Sequence, residues 1–523
     1  MRWVLMMASL LCFVTSTQAE VRELSDFEHG HVHRQLHARG WQIDKSPQGK
    51  TVAFIALHRY PVFVEFEALP LLPNRIHVLS KTAFIRRELI VNQGEAFTHS
   101  DLNESVRNLR RLGVFSLVAA VPILTEDPKT VGVLVVTRDI WSLRLESSFQ
   151  MTGTVLDRLQ TQLTERNLFG RGIQALVRYN MQPLFVSTGA LFSNRRVFNK
   201  PYTLTISSDA FFERDSGRYD GYSVSVYSGR PLYSMSDRIS YAVSASRSAG
   251  IVRQEQAGNR VLWDDEETQA VELVPRGWSY ESYNFGVSSD IQLRYTTIFR
   301  FGGGLTISNY EAEIISSSAI EQLDPDSRIR FKSEVIPESL LLAYPHMRFS
   351  FYRDRFSVFK NLSGFALSEE LQLGWSGGGY AQFPTRAMGS SQDLVIAGAR
   401  KVYRERFLSD AMLEAAASGV SRYRFESQEW TDTTFLLRFR IASPSFSAGR
   451  FVLRADWVGQ REQTAPYPMT LGGDNGIRGY SSQHFLSFGG NRVRGNTEFR
   501  TKPVRLGPFY SGAVAFYDAG SLF

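Results

Sequence analysis

From Ser142 onward the chain alternates polar and apolar residues with a period of two. Tyr202, Leu204 and Ile206 interleave with Thr203, Thr205 and Ser207. Tyr222, Val224 and Val226 interleave with Ser223 and Ser225, and Ile239, Tyr241, Val243 and Ala245 with Ser240, Ala242, Ser244 and Ser246. A helix repeats every 3.6 residues, so this pattern specifies strands with one apolar and one polar face. Beyond the N-terminus no apolar run reaches the ~18 residues that a spanning helix needs. An α-helical membrane protein is therefore excluded. Two architectures remain. In a soluble sandwich the apolar face meets a core. In a membrane barrel it meets lipid, and the polar face lines the lumen.

Several features favour the barrel. Arg2 followed by the apolar Val4 to Val14, then Thr17-Gln18-Ala19, reads as a secretory signal over residues 1–19. Strand-sized segments recur through the whole region. Short connections such as Gly229-Arg230-Pro231 alternate with long polar ones such as Gln254–Trp278 and Glu311–Ser327. Phe, Tyr and Trp make up 13% of the chain, which suits aromatic girdles at two membrane interfaces. The single cysteine, Cys12, lies inside the signal, so the exported chain has no thiol, no disulfide and no thiolate metal site. A net charge of +7 spread over 523 residues forms no cluster, so no nucleic acid is expected as a partner.

Between signal and barrel the pattern differs. Residues 20–47 read as a polar leader. His33 and His37 stand four apart there, but no carboxylate or cysteine completes a metal site. Residues 48–141 read as a separate α+β domain. Thr51–Phe63 is a strand, and Thr82–Val91 a helix with Ile85 and Leu89 on one side. Thr98 and Asp101 cap a second helix whose Leu102, Val106 and Leu109 share a face, and Gly113 ends it. Strands Ser116–Ile123 and Val131–Arg138 follow.

The most specific signal lies near the end. Gly472-Gly473-Asp474-Asn475-Gly476-Ile477-Arg478-Gly479-Tyr480 precedes Gly489-Gly490-Asn491 with Glu498-Phe499-Arg500, then Phe516-Tyr517-Asp518-Ala519-Gly520. Along Arg492–Arg500, Val493, Gly495, Thr497 and Phe499 face one way. Arg492, Arg494, Asn496, Glu498 and Arg500 face the other, which is the lumen if the wall is a barrel. These three segments, in this order, resemble the BamA/TamA superfamily of outer-membrane barrels. Glu165-Arg166-Asn167-Leu168-Phe169-Gly170-Arg171-Gly172 resembles the first hairpin of such barrels. The strand–helix–helix–strand–strand order of 48–141 resembles a POTRA domain, with Leu109–Phe115 like its second helix and exit. Pro73–His77 through Arg86–Leu89 resembles a variant with a long loop before the first helix.

The resemblance implies a mainly β protein: one periplasmic POTRA domain, then an antiparallel transmembrane barrel over 142–523. It implies sixteen strands, of which the last ones would be missing here, leaving the wall open. It also implies a loop folded into the lumen and locked there. Arg478 would meet Glu498, Asp518 or both, Gly479 would allow the turn, and Tyr480 would pack on the wall. The implied role is insertion of other barrels or translocation of a passenger by strand pairing. The partners would be outer-membrane lipid, unfolded outer-membrane or secreted clients, and periplasmic or lipoprotein partners of the POTRA domain. No catalytic residue, metal or cofactor is called for. Gly374-Trp375-Ser376-Gly377-Gly378 matches a nucleophile elbow, but the following Gly379–Pro384 cannot form the helix that motif requires. A passive porin-like pore is the alternative function, and a hydrolase using Ser376 a remoter one.

Overall fold

The computed structural model describes residues 26–63, 77–152, 154–234, 237–265, 267, 274–315, 318–362, 368–464, 468–473, 476–480, 483–488, 490–506 and 509–523. The signal segment with Cys12, Pro73–Ile76, Asp474, Asn475 and Gly489 lie outside them. The chain divides into two compact units, one of residues 1–142 with 166–172, the other of 143–165 with 173–523.

The first unit is built on a three-stranded sheet. Its strands are β1 (Thr51–Tyr60), β2 (Phe115–Ile123) and β3 (Thr130–Asp139), in the order β1-β3-β2. β3 runs parallel to β1 and antiparallel to β2. Val131, Val133, Val135 and Val136 make β3 strongly β-forming, and it is buried along almost its whole length. Both sheet faces are therefore covered. On one, Val52, Val118, Val131, Val133 and Val135 pack with Phe84, Ile85, Leu102, Val106 and Leu109 from helices α2 (Thr82–Arg86) and α3 (His99–Arg111). The Thr98 hydroxyl accepts from the Asp101 amide at 3.0 Å and caps α3.

Two elements differ from the sequence reading. The first helix stops at Arg86 rather than Val91. Beyond it the Ile90 amide donates to the Ser105 hydroxyl at 2.8 Å, which draws the backbone away from the helical pattern. The polar leader read at 20–47 is, from Asp26 to Arg39, a helix (labelled αN here) that covers the second face of the sheet. Val32 and Leu36 pack there against Tyr60, Leu117, Val121, Ile123, Leu134 and Val136. His31 is buried on the Tyr60 ring, whereas His29, His33 and His37 lie side by side on the exposed face. The segment Arg166–Gly172 belongs to this unit through Asn167, whose amide donates to the Ser80 hydroxyl at 2.8 Å. Ser80 in turn donates to Asp139 from its amide at 2.8 Å.

Among the described residues the second unit is a closed barrel of seventeen strands, from Leu143–Thr152 to Val514–Leu522. This corrects the expected open, sixteen-stranded wall. The final strand is a neighbour of the first, so the ring leaves no unpaired edge. Successive strands reverse direction, and an odd number brings the last alongside the first running the same way. The outward face is apolar and exposed. Phe285 pairs with Ile307, Phe301 with Phe349 and Leu437 with Trp457. Phe285, Ile307, Phe301, Phe349, Phe435 and Leu437 are all exposed. Such a band suits lipid and not water.

Connections also refine the reading. Gly229 and Arg230 end the strand Tyr219–Arg230, and the link to Ile239 is longer than the tight turn expected. The connection after Ile314 carries the helix Pro325–Val335, whose Phe331 and Val335 pack on Trp263 and Trp278. Ser376 sits within the wall strand Gly374–Gln382, paired with Tyr352 and Val402, with none of the geometry of an elbow.

Because αN supplies one face of the first unit's core, a soluble piece of residues 26–142 is expected to unfold cooperatively. Leu36→Ala should lower its stability by roughly 2–5 kcal/mol. A piece starting at residue 48 should bind an apolar dye through the uncovered face. Equal stability of the two pieces in denaturant titrations would show that αN is not part of this core.

Candidate functional site

The site is built on two neighbouring wall strands, Gly490–Thr501 and Val514–Leu522, and the connection that precedes them. Their register pairs Asn496 with Asp518, Glu498 with Phe516 and Arg494 with Gly520. Strand alternation puts all of these on one face. On the opposite face Val493, Thr497 and Tyr517 are exposed outward. The inward direction read for Arg492, Arg494, Asn496, Glu498 and Arg500 is the one observed.

The connection folds back onto that inward face. Its stem is a short hairpin of Met469–Leu471 with Phe485–Ser487. Beyond the stem, Ile477 is buried, and its side chain and that of Leu471 lie over Gly520, where a β-carbon would come within 2.8 Å of Ile477. Arg478 follows. Its Nε donates to Asp518 Oδ2 at 2.8 Å and its Nη2 to Asp518 Oδ1 at 2.7 Å. Its Nη1 donates to Glu498 Oε1 at 2.8 Å, and its backbone amide to Asp518 Oδ2 at 2.9 Å. One guanidinium thus bridges two carboxylates, with a bidentate fork on the first. Its flat face lies 3.8 Å from the Phe516 ring centroid. Asp518 also accepts from the Asn496 amide at 2.7 Å, and its side chain is almost fully buried. Arginine's planar donors match this arrangement, and lysine's single ammonium does not.

The structure places the other expected residues nearby with different contacts. Gly479 has φ +93° and open space around it, so it serves the turn and not a close approach. The Tyr480 ring lies tilted against His484 and Phe485 within the loop, and its carbonyl accepts from the Gln150 side chain at 3.0 Å.

Three contributors were not singled out by the sequence reading. Ile477 is one, signalled only as a lone apolar residue in a polar loop. Gly476 is another. Its φ is +92°, its carbonyl accepts from the Asn496 amide at 2.7 Å, and a β-carbon there would meet the Arg494 guanidinium at 2.2 Å. The third is Asp456, on the adjacent strand Gly449–Arg461. It accepts from Arg438 at 2.7 Å, Arg494 at 3.1 Å and Arg454 at 3.4 Å. That single carboxylate steadies three inward cations beside the loop. No sequence spacing reveals it, because its partners come from three strands.

Comparison with known proteins gives a limited result. No family model matches the chain, and no curated protein does. Among solved structures, BamA from Haemophilus ducreyi lacking POTRA domains 1-3 aligns over 96% of this chain and 94% of its own, at 10% identity and a TM-score of 0.36. CdiB from Acinetobacter baumannii aligns over 94% and 80%, at 9% identity and a TM-score of 0.40. CdiB from Escherichia coli aligns over 91% and 99%, at 10% identity and a TM-score of 0.32. At such scores these alignments carry no weight beside the geometry of the lumen itself.

Gly476→Ala should strain the backbone and push on Arg494 together, destabilising the docked loop by more than about 1 kcal/mol. Heat-modifiable migration of the folded barrel in gels, recorded against temperature, measures this. An unchanged transition would mean that the loop can dock by another path.

Proposed function

We propose that this chain is an outer-membrane barrel of the BamA/TamA type that inserts or translocates other proteins, with the Arg478 loop as its internal lock. The observation that carries the reading is the Arg478 fork spanning Asp518 and Glu498. Three sequence segments up to 40 residues apart converge on one guanidinium. An ordinary surface hairpin has no need of two inward carboxylates on successive strands.

The first unit supports the reading in a second way. Its strand–helix–helix–strand–strand order is that of a POTRA domain, which we place in the periplasm. Its sheet ends in an edge strand, β2, whose Pro122 carbonyl accepts from the Asp44 amide at 3.1 Å and whose Val118 carbonyl accepts from Arg110 at 2.7 Å. A client that displaces the Arg110 contact can extend that edge by adding a strand. The mechanism is pairing of backbone with backbone, and no covalent step is involved. Outer-membrane lipid meets the apolar belt, and unfolded outer-membrane or secreted proteins are the clients.

Arg478→Ala in the full chain should lower barrel stability by roughly 1.5–3 kcal/mol, the value of a charged hydrogen bond in a wet setting. Arg478→Lys should restore only part of it. Urea titration of the liposome-embedded protein reads this. The functional arm follows assembly of an unfolded outer-membrane client in the same liposomes. Client assembly at the same rate with and without the protein, alongside ionic conductance, would replace the reading with a passive pore.

A further inference from the structure

The barrel holds a second insert, entering from the end opposite the Arg478 connection. Between the strands Leu340–Arg353 and Gly374–Gln382 the chain forms a hairpin, Phe356–Lys360 paired with Ser368–Gln372. Because strands alternate in direction, this connection and the one carrying Arg478 lie at opposite ends of the wall. The hairpin is anchored by apolar contacts. Phe359 and Leu362 are fully buried with Leu373, Met412, Ala442 and Val452.

Those wall residues fix where the hairpin sits. Met412 pairs with Ala442, Ala442 with Val452, Val452 with Glu498, and Glu498 with Phe516. All share the inward face. The apolar seat of the hairpin therefore runs along one row into the carboxylate that holds Arg478.

Arg500 closes the gap. Its Nε donates to Glu498 Oε2 at 2.7 Å, while Arg478 takes the other oxygen of that carboxylate. Its Nη1 donates to the Leu362 carbonyl at 2.5 Å, and Arg440 donates to the same carbonyl at 3.3 Å. The path is continuous: loop Arg478, wall Glu498, wall Arg500, hairpin Leu362. The same hairpin gains a polar tie at its start, where the Ser357 hydroxyl accepts from Arg406 at 2.8 Å.

We propose that the paired segments 356–360 and 368–372 form a lumenal plug, and that Arg500 is the positioning residue coupling its seating to the Arg478 lock. The proposal rests on the lock described above but not on any client. Displacing the hairpin removes an acceptor from Arg500. Arg500 then turns more fully onto Glu498, which weakens the hold of that carboxylate on Arg478 and frees the loop. Coupling of this kind operates in both directions.

The test uses the full chain in planar bilayers and liposomes, with two readouts. Single-channel conductance reports the plug. Tryptic cleavage after Arg478, followed by mass spectrometry, reports the lock, since a guanidinium held by two carboxylates is a poor protease substrate. Phe359→Ala touches neither Arg478 nor Glu498. It should raise conductance and speed cleavage after Arg478 by about five-fold or more, the lower range of ordinary site–site coupling. Arg500→Ala should do both, and Arg500→Lys should recover part of each effect. Where Arg500→Ala fails to assemble, Phe359→Ala and Arg500→Lys decide the matter. Higher conductance with unchanged cleavage would show a plug independent of the lock, and overturn the coupling. Unchanged conductance in Phe359→Ala would overturn the plug. Neither readout involves client assembly, so failure here and failure of the insertase reading are separate results.

Discussion

A strand wall in lipid must close on itself, because the hydrocarbon offers no partner for an exposed amide or carbonyl. Everything else in the larger unit follows from that closure. A closed ring with apolar residues outside must turn every alternate residue inward. Polar and charged side chains then crowd a confined, partly wet space. Arginine is abundant there, and each guanidinium needs an acceptor at short range. Asp456 answers for Arg438, Arg454 and Arg494. Glu498 answers for Arg478 and Arg500. Asp518 is committed to Arg478 through two oxygens and to its backbone amide. Around the loop three carboxylates thus hold five arginines, and removing Asp456 or Glu498 strands more than one of them.

The lock was legible because its parts obey local rules. Period-two alternation fixes which side of Arg492–Arg500 faces inward, and so makes Glu498 an inward carboxylate from sequence alone. Asp518 on the next strand falls within reach by the spacing of neighbouring strands. Much of the first unit was legible for similar reasons. Thr98, Leu102, Val106, Leu109 and Gly113 mark one helix from cap to stop.

What escaped the sequence escaped for physical causes. The segment Asp26–Arg39 holds four histidines and two arginines, and only Val32 and Leu36 carry its packing face. Two apolar residues four apart do not raise a helix above a polar background. The plug hairpin was hidden differently. Phe356–Lys360 is β-forming and blends with wall strands, Ser368–Gln372 with its two glutamates carries no strand signal, and only the third dimension shows the two paired inside. The number of strands needs the same information, since closure is a property of the ring and not of any segment.

The choice of arginine at 478 and 500 is not interchangeable with lysine in this setting. Each residue serves two acceptors in different directions. Arg478 reaches Asp518 and Glu498, and Arg500 reaches Glu498 and the Leu362 carbonyl. A planar fork holds both at fixed angles without further loss of rotamer freedom, whereas an ammonium on a flexible stem must pay for each in entropy. Glu498 is the shared member, with one oxygen toward each arginine. Protonating or removing it therefore cannot disturb one insert alone. In this geometry the loop from one end of the barrel and the hairpin from the other are two ends of a single hydrogen-bonded chain.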